Sequence, residues 1–127
     1  MRIYFDTVAV IYLVQRVPPW HSLLVAKLAP HTHQAVISDL TRMECLVKPV
    51  RDANTALIAE YQQVFSSSQI VPLTSQVFDR ATHIRARHNF KTPDSIHLAA
   101  AVESGCDWYL SNDLGLRKFS DIPIVTF

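Results

Sequence analysis

Short apolar runs alternate with longer amphipathic segments along this chain. Apolar runs of strand length lie at Ile3–Phe5, Ala35–Ile37 and Trp108–Leu110, and each is followed by a segment with helical spacing. Such alternation predicts a mainly parallel sheet between two layers of helices. We therefore expect an α/β fold, a three-layer α/β/α sandwich, with residues 1–127 forming a single domain.

Turn and cap residues set the expected element boundaries. The predicted strands are Arg2–Phe5, Ala35–Ile37, Gln69–Leu73 (an edge strand, because of Pro72), Asp107–Ser111 and Ile124–Phe127. The predicted helices are Thr7–Gln15, Trp20–Leu28, one from Ser38 or Asp39 to about Val47, one starting at Asp52 or Asn54, one from Thr74 or Ser75 to about His88, one capped by Thr92 and ending before Gly105, and Leu114–Phe119.

Three further local expectations follow from these patterns. Pro49 is expected to stop the third helix, and Ser66–Ser68 is expected to be a loop. The expected core face of the third helix consists of Leu40, Met43 and Val47.

Composition excludes several classes of protein. A hydrophobic fraction of 49% is too high for a disordered chain, while the longest apolar run, Val8–Val14, is far shorter than the ~18 residues of a membrane span. Charges at Arg2 and Asp6 interrupt any signal-peptide core. Cys45 and Cys106 lack the spacing of a metal site, and two cysteines are typical of a reduced, cytoplasmic protein.

Four acidic residues are the strongest candidates for chemistry. Asp6 and Asp113 follow predicted strands, while Glu44 and Asp94 lie on predicted helices. Residues beyond the carboxyl ends of parallel strands meet in one crevice, and carboxylates sharing a crevice need a counter-charge. Mg²⁺ or Mn²⁺ with oxygen ligands supplies that charge, and such a site is typical of phosphoryl chemistry, including nuclease action.

Each acid also has a simpler local interpretation. Asp6 could only cap the following helix, Glu44 could pair with Lys48 on the solvent side, and Asp113 could close a turn. His97 lies three residues after Asp94 and is expected to pack behind the site, in a supporting role.

Two known site types do not fit. An Asp-x-Asp phosphatase start is excluded because Val8 occupies the second Asp position. A glycine-rich phosphate loop is excluded because Gly105 and Gly115 are the only glycines.

Taken in order, these segments resemble the PIN-domain nucleases, and among them the VapC-like toxins of bacterial toxin–antitoxin pairs. The resemblance extends over essentially the whole chain. Its matching segments are Ile3–Thr7, Ile37–Glu44, Lys91–Ala99, Tyr109–Asp113 and Ile124–Phe127, together with Leu116. The most specific part is Thr92-Pro93-Asp94 with His97-Leu98-Ala99.

The resemblance implies a Mg²⁺- or Mn²⁺-dependent endoribonuclease that cleaves RNA with metal-activated water and leaves a 5′-phosphate. It implies Asp6, Asp94 and Asp113 as principal metal ligands, with Glu44 as a further ligand or a water-orienting group. The supporting residues would be Thr7, Thr41, His97, Ser111 and Asn112. Val8 stands where such proteins usually carry Ser or Asn. Either this lowers the activity, or Thr7 and Ser111 supply the missing contact.

Partners are expected on two surfaces. The chain carries 12 basic and 11 acidic residues, so without the four site acids the balance is 12 − 7 = +5, which mildly favours a polyanion. The RNA-contact candidates are Arg85, Arg87, His88 and Lys91 before Asp94, and Arg117 and Lys118 after Asp113; the alternative is a solvated charged face.

The resemblance also implies a small VapB-like antitoxin and a homodimer, with no membrane association. Candidate contacts are Trp20, Leu23, Leu24, Leu28 and the helix from Leu57 to Val64, unless these residues are simply core. Two other functions stay open: a housekeeping RNA-processing nuclease without an antitoxin, and a catalytically silent PIN-fold binding module.

Overall fold

A five-stranded parallel sheet forms the centre of the molecule in the computed structural model, which describes residues 1–127. The strands are β1 (Arg2–Phe5), β2 (Gln34–Ser38), β3 (Gln69–Val71), β4 (Trp108–Leu110) and β5 (Ile124–Val125). The helices are α1 (Thr7–Gln15), α2 (Trp20–Leu28), α3 (Asp39–Arg51), α4 (Thr55–Ser67), α5 (Ser75–His88) and α6 (Thr92–Glu103), with a short 3₁₀ helix at Leu114–Lys118.

The strand order is β3-β2-β1-β4-β5, and every neighbouring pair is parallel. The chain moves outwards from β1 in one direction through β2 and β3, then returns to the other side of β1 as β4. The order therefore reverses between β1 and β4, where open α/β sheets form a crevice at the carboxyl ends of their strands. The backbone N–H of Asp6 donates a hydrogen bond to the Leu110 carbonyl at 3.1 Å, which links the ends of β1 and β4 at that point.

Side chains that alternate along β1 separate the two helix layers. Ile3 and Phe5 belong to a core formed with α1 to α4, whereas Tyr4 belongs to a core formed with α5 and α6. On that second side Ala99, Ala100 and Ala101 are fully buried, so α6 packs closely. The predicted three-layer α/β/α fold is confirmed.

The structure corrects two expectations for α3. The helix continues through Pro49 to Arg51, because a proline in the last turn removes only one helical hydrogen bond and its ring is buried. The predicted core face was also wrong, since Met43 and Val47 are 59% and 49% exposed. Thr41, Cys45 and Pro49 are buried instead.

The remaining differences concern element ends. α4 includes Ser66 and Ser67, whose hydroxyls donate to the carbonyls of Gln63 and Val64 and so satisfy the end of the helix. Lys91, and not Thr92, is the N-cap of α6. β3, β4 and β5 are shorter than predicted, although β3 is an edge strand as expected.

Cys45 and Cys106 are free thiols. Burial raises the pKa of the Cys45 thiol to about 12. None of the helices combines the length and apolar character that a membrane crossing requires.

Candidate active site

A cavity of about 390 Å³ opens at the carboxyl ends of β1 and β4, and all four candidate acids line it. Asp6, Glu44, Asp94 and Asp113 are contributed by four different parts of the chain. The other lining residues are Thr7, Val8, Ala9, Tyr12, His97, Ser111, Asn112 and Phe127.

Asp6 is held by one hydrogen bond to each oxygen of its carboxylate. Oδ1 accepts from the backbone N–H of Thr7 at 2.8 Å, which makes Asp6 the N-cap of α1, and Oδ2 accepts from Ser111 Oγ at 2.7 Å. Asp6 therefore caps the helix and also lines the cavity. Burial raises the pKa of Asp6, and the hydrogen bond from Ser111 opposes that rise only in part.

Glu44 contacts Thr7 and His97, and not Lys48. Its Oε1 accepts from Thr7 Oγ1 at 2.7 Å and lies 2.5 Å from Nε2 of His97. Burial acts to raise the pKa of Glu44, but the hydrogen bonds from His97 and Thr7 outweigh it, and the pKa is lowered. Glu44 is thus held as a carboxylate in the cavity wall.

Asp94 lies in the first turn of α6, where the helix dipole favours negative charge. It is partly buried, and burial together with the neighbouring charges of Asp6 and Asp113 raises its pKa. Asp113 is exposed and is the N-cap of the 3₁₀ helix, with Oδ1 accepting from the Gly115 amide at 2.9 Å. Repulsion between the carboxylates therefore adds to the effect of burial on the pKa of Asp94.

The supporting candidates do not all reach the cavity. Asn112 lines it but uses its Oδ1 to accept from the amide of Phe127 at 2.8 Å, which fixes the C-terminal residue beside the site. Thr41 does not line it: it is buried, and its hydroxyl accepts from the Ser38 amide at 3.2 Å at the start of α3.

Tyr4 is a site-associated residue that the sequence did not single out. Its hydroxyl lies 2.8 Å from Nδ1 of His97, directly behind the cavity. Nothing in the local sequence of an apolar strand predicts this contact, because the packing of α6 on β1 in the folded protein brings the two side chains together.

The cavity contains no lysine or arginine side chain to balance its four acids. Oxygen donors alone suit a hard divalent cation such as Mg²⁺ or Mn²⁺, so the donor chemistry fits. However, no three His, Cys, Asp or Glu side chains converge closely enough to enclose an ion by themselves. A cation here would therefore be bound partly through water, as Mg²⁺ commonly is.

The basic candidates lie outside this cavity. Arg85 donates to the Phe90 carbonyl, Arg117 donates to Thr126 Oγ1 at 3.3 Å, and the Lys118 ammonium lies 5.0 Å from the centre of the Phe90 ring. Lys91 is exposed at the N-cap of α6, three residues before Asp94.

Arg87 and His88 line a second cleft of about 550 Å³, together with Arg80, His83 and Asp121. The charge of this cleft is mixed, because Asp121 is acidic and Arg80 is paired with Glu103 at 2.5 Å.

Comparison with known proteins identifies the family. The family model described as PIN domain matches residues 3–122. Comparison with curated proteins finds no match.

Several solved structures share the fold. VapBC2 from Rickettsia felis, bound to a DNA fragment from its promoter, gives a TM-score of 0.81 at 11% identity, covering 99% of this chain and 98% of that chain. A toxin–antitoxin complex from Klebsiella pneumoniae gives 0.78 at 21% identity, with 94% of each chain covered. VapC20 from Mycobacterium tuberculosis, a toxin that cleaves the sarcin–ricin loop, gives 0.73 at 14% identity, covering 95% and 98%.

Proposed function

Because the chain belongs to the PIN domain family, we propose that it is a divalent-metal-dependent endoribonuclease and the toxin of a toxin–antitoxin pair. One observation carries the proposal: four carboxylates from distant segments line one cavity that has no lysine or arginine side chain. The known specificity of one fold relative, a toxin that cleaves the sarcin–ricin loop, supports RNA as the substrate class.

Asp6, Asp94 and Asp113 would hold Mg²⁺ or Mn²⁺, some of them through water. When bound, such an ion lowers the pKa of a water molecule and neutralises charge on the scissile phosphate. Glu44 would orient the attacking water or serve as a further ligand. Both of its hydrogen bonds are made by Oε1, which leaves Oε2 free of hydrogen bonds within the chain.

The hydrogen bonds to the acids would keep the site assembled between turnovers. Thr7 serves two of them, because its amide donates to Asp6 and its hydroxyl donates to Glu44. Ser111 Oγ donates to Asp6 and also accepts from the Asp113 amide at 3.1 Å. These contacts support the expectation that Thr7 and Ser111 supply what a Ser or Asn at position 8 would supply.

The RNA backbone would be contacted by basic residues outside the cavity: Arg85, Arg87, Lys91, Arg117 and Lys118. Lys91 and Arg87 are the strongest candidates because both are exposed and neither forms an ion pair within the chain. Arg85 and Arg117 already bond within the chain, so they would contribute less.

The antitoxin and a second copy of the chain would bind exposed apolar surface. Trp20 and Leu23 on α2 are 37% and 45% exposed, while Leu24 and Leu28 are buried in the core. Several fold relatives are toxin–antitoxin complexes, which supports a small protein partner. A purified chain that stays soluble and monomeric without any partner would contradict this part of the proposal.

The proposed nuclease is tested by a short pulse of expression in bacterial cells, with new 5′-phosphate RNA ends mapped. Asp94→Asn keeps the side-chain shape and removes the charge, and we expect it to reduce cleavage ~100-fold or more. Asp79→Asn, an exposed acid on α5, is the matched control and should cleave normally. Identical RNA ends from wild type and Asp94→Asn would reject the nuclease.

Two further measurements separate the alternatives. A silent binding module need not bind Mn²⁺, so Mn²⁺ titration of the purified protein distinguishes it from either nuclease. Growth arrest that a neighbouring small protein relieves distinguishes a toxin from a housekeeping nuclease.

A further inference from the structure

A chain of hydrogen bonds leads from the buried interior to the cavity. Tyr4 Oη lies 3.0 Å from Ser38 Oγ and 2.8 Å from His97 Nδ1, and the other ring nitrogen, Nε2, lies 2.5 Å from Glu44 Oε1. Ser38 and Tyr4 are fully buried and His97 is 2% exposed. His97 and Glu44 both line the cavity, and Glu44 is the more exposed of the two, with 29% of its side chain accessible.

The partners determine how the imidazole of His97 must be protonated. A carboxylate only accepts hydrogen bonds, so the nitrogen facing Glu44 must carry a hydrogen. In the neutral ring, Nδ1 is then an acceptor, and the Tyr4 hydroxyl is the donor within reach. The Tyr4 hydroxyl has a single hydrogen, so when it donates to Nδ1, the 3.0 Å contact with Ser38 Oγ is made with the hydrogen of the serine hydroxyl.

We propose that Tyr4 is a positioning residue, which acts through His97 to aim the Glu44 carboxylate into the cavity. Glu44 and Tyr4 contact the two ring nitrogens of His97, so without the Tyr4 hydroxyl the ring loses one of the two hydrogen bonds that fix its orientation. Glu44 has a long side chain, and Thr7 would then be its only firmly held partner. The proposal deepens the proposed nuclease site and rests on it for the effect on cleavage, but not for the effect on His97.

The adjacent strand offers a matched control. Tyr109 on β4 stacks on Tyr4 with ring centres 5.4 Å apart and planes at 11°, and both rings are fully buried. The Tyr109 hydroxyl has no hydrogen-bond partner, whereas the Tyr4 hydroxyl has two. Tyr4→Phe and Tyr109→Phe therefore each remove one buried hydroxyl from the same stacked pair of rings. Only Tyr4→Phe breaks the series of hydrogen bonds that leads to Glu44.

The first readout is ¹⁵N NMR of the histidine rings in metal-free protein, in which protonated and unprotonated ring nitrogens are well separated. A His97→Gln spectrum identifies the signals of His97 among the six histidines. We expect one nitrogen of each type in the wild type and in Tyr109→Phe, and a shifted Nδ1 signal in Tyr4→Phe, where that nitrogen has lost its hydrogen-bond donor. An unchanged His97 spectrum in folded Tyr4→Phe would overturn the proposal.

The second readout is a double-mutant cycle scored by Mn²⁺ affinity and by kcat. Tyr4→Phe should weaken Mn²⁺ binding and lower kcat ~10-fold each, with KM for RNA unchanged. In a His97→Gln background the side-chain amide can still donate to Glu44 without help from Tyr4, so there Tyr4→Phe should have little further effect. Equal losses in both backgrounds would mean that Tyr4 acts only through general stability, and would overturn the proposal.

Failure of the proposed function gives a different result. If the wild type cleaves no RNA while Tyr4→Phe still changes the His97 spectrum and Mn²⁺ affinity, the positioning role stands and the nuclease does not.

Discussion

Ser111 Oγ donates a 2.7 Å hydrogen bond to Oδ2 of Asp6, a residue 105 positions earlier in the chain. This bond joins the ends of β4 and β1 across the point where the strand order reverses. A hydrogen bond to a charged group contributes about 1.5–3 kcal/mol. We therefore expect Ser111→Ala to weaken Mn²⁺ binding at least ~10-fold, measured by calorimetric titration.

The control for this substitution is Ser104→Ala. Ser104 also donates a 2.7 Å bond, but to the Ala100 carbonyl at the far end of α6. The Ser104→Ala protein should be somewhat less stable than the wild type, but its affinity for Mn²⁺ should be unchanged. Equal affinities for Ser111→Ala and the wild type would show that the bond to Asp6 does not organise the site.

A polar residue at position 8 should strengthen the site. Val8 lines the cavity beside Asp6 and is 46% exposed, so a hydroxyl fits there at little cost. We expect Val8→Ser to raise Mn²⁺ affinity about threefold, since each added hydrogen bond to bound water or carboxylate contributes roughly 0.5–1.5 kcal/mol. Val47→Ser, on the exposed face of α3, should leave affinity unchanged. Weaker binding by Val8→Ser than by Val47→Ser would contradict this view of the cavity.

Asp94 should destabilise the metal-free protein at neutral pH. Its pKa is raised in the folded state, so the folded protein binds this proton more tightly than the unfolded chain, and stability rises as pH falls through the raised pKa towards the ordinary 3.8. In EDTA, Asp94→Asn should melt at a higher temperature than the wild type at pH 7, because the buried charge is removed. The difference should shrink as the pH approaches 4; a constant difference, or a lower melting temperature, would refute the raised pKa that burial and the charges of Asp6 and Asp113 cause.

The charge of Glu44 should stabilise the metal-free protein at neutral pH, which is the opposite of the effect expected for Asp94. Its pKa is lowered in the folded state, so its contribution to stability is present above the ordinary value of 4.5 and is lost as pH falls through the lowered pKa. In EDTA at pH 7, Glu44→Gln should melt lower than the wild type, because a charged acceptor for Thr7 and His97 is replaced by an amide. Melting curves of Glu44→Gln and Asp94→Asn that shift in the same direction at pH 7 would contradict one of the two assignments.

Arg87 should contact the RNA backbone through its charge alone. Each phosphate contact contributes about 0.7 to the slope of log affinity against log salt for a single strand, so Arg87→Ala should lower that slope by about this amount for every sequence tested. Arg51→Ala, exposed at the end of α3, is the control. Binding to a non-cleaved RNA, followed by fluorescence anisotropy across salt concentrations, measures both; equal slopes would remove Arg87 from the interface.

The order and type of the elements were largely predictable, because local patterns carry them. Apolar runs identified β1, β2 and β4, and the Pro93 and Gly105 signals bracketed α6. Gly105 lies two residues past the last residue of the helix and has a φ of 70°. Element ends were less predictable. Pro49 and Ser66 are helix breakers by local preference, yet burial of the proline ring and hydroxyl bonds to carbonyls keep both residues helical.

The buried face of α3 could not be found from its own pattern. Met43 and Val47 form an apolar stripe at helical spacing, but α3 packs against α4, α1 and the sheet with Thr41 and Cys45 buried instead. A small polar residue at position 41 is buried because it completes the start of the helix by bonding the Ser38 amide. Periodicity locates a stripe, whereas the rotation of a helix about its axis depends on everything packed against it.

The sequence by itself determined the α/β alternation and the four acids placed after strands or near helix starts, because both depend on neighbours in the chain. Only the tertiary structure decided what each acid touches. The side-chain donor to Asp6, Ser111, lies 105 residues away along the chain. The partners of Glu44, Thr7 and His97, lie 37 and 53 residues away, and Tyr4 and His97 are 93 residues apart. These contacts depend on strand order and helix rotation, which are set by burial of the whole core rather than by any local preference.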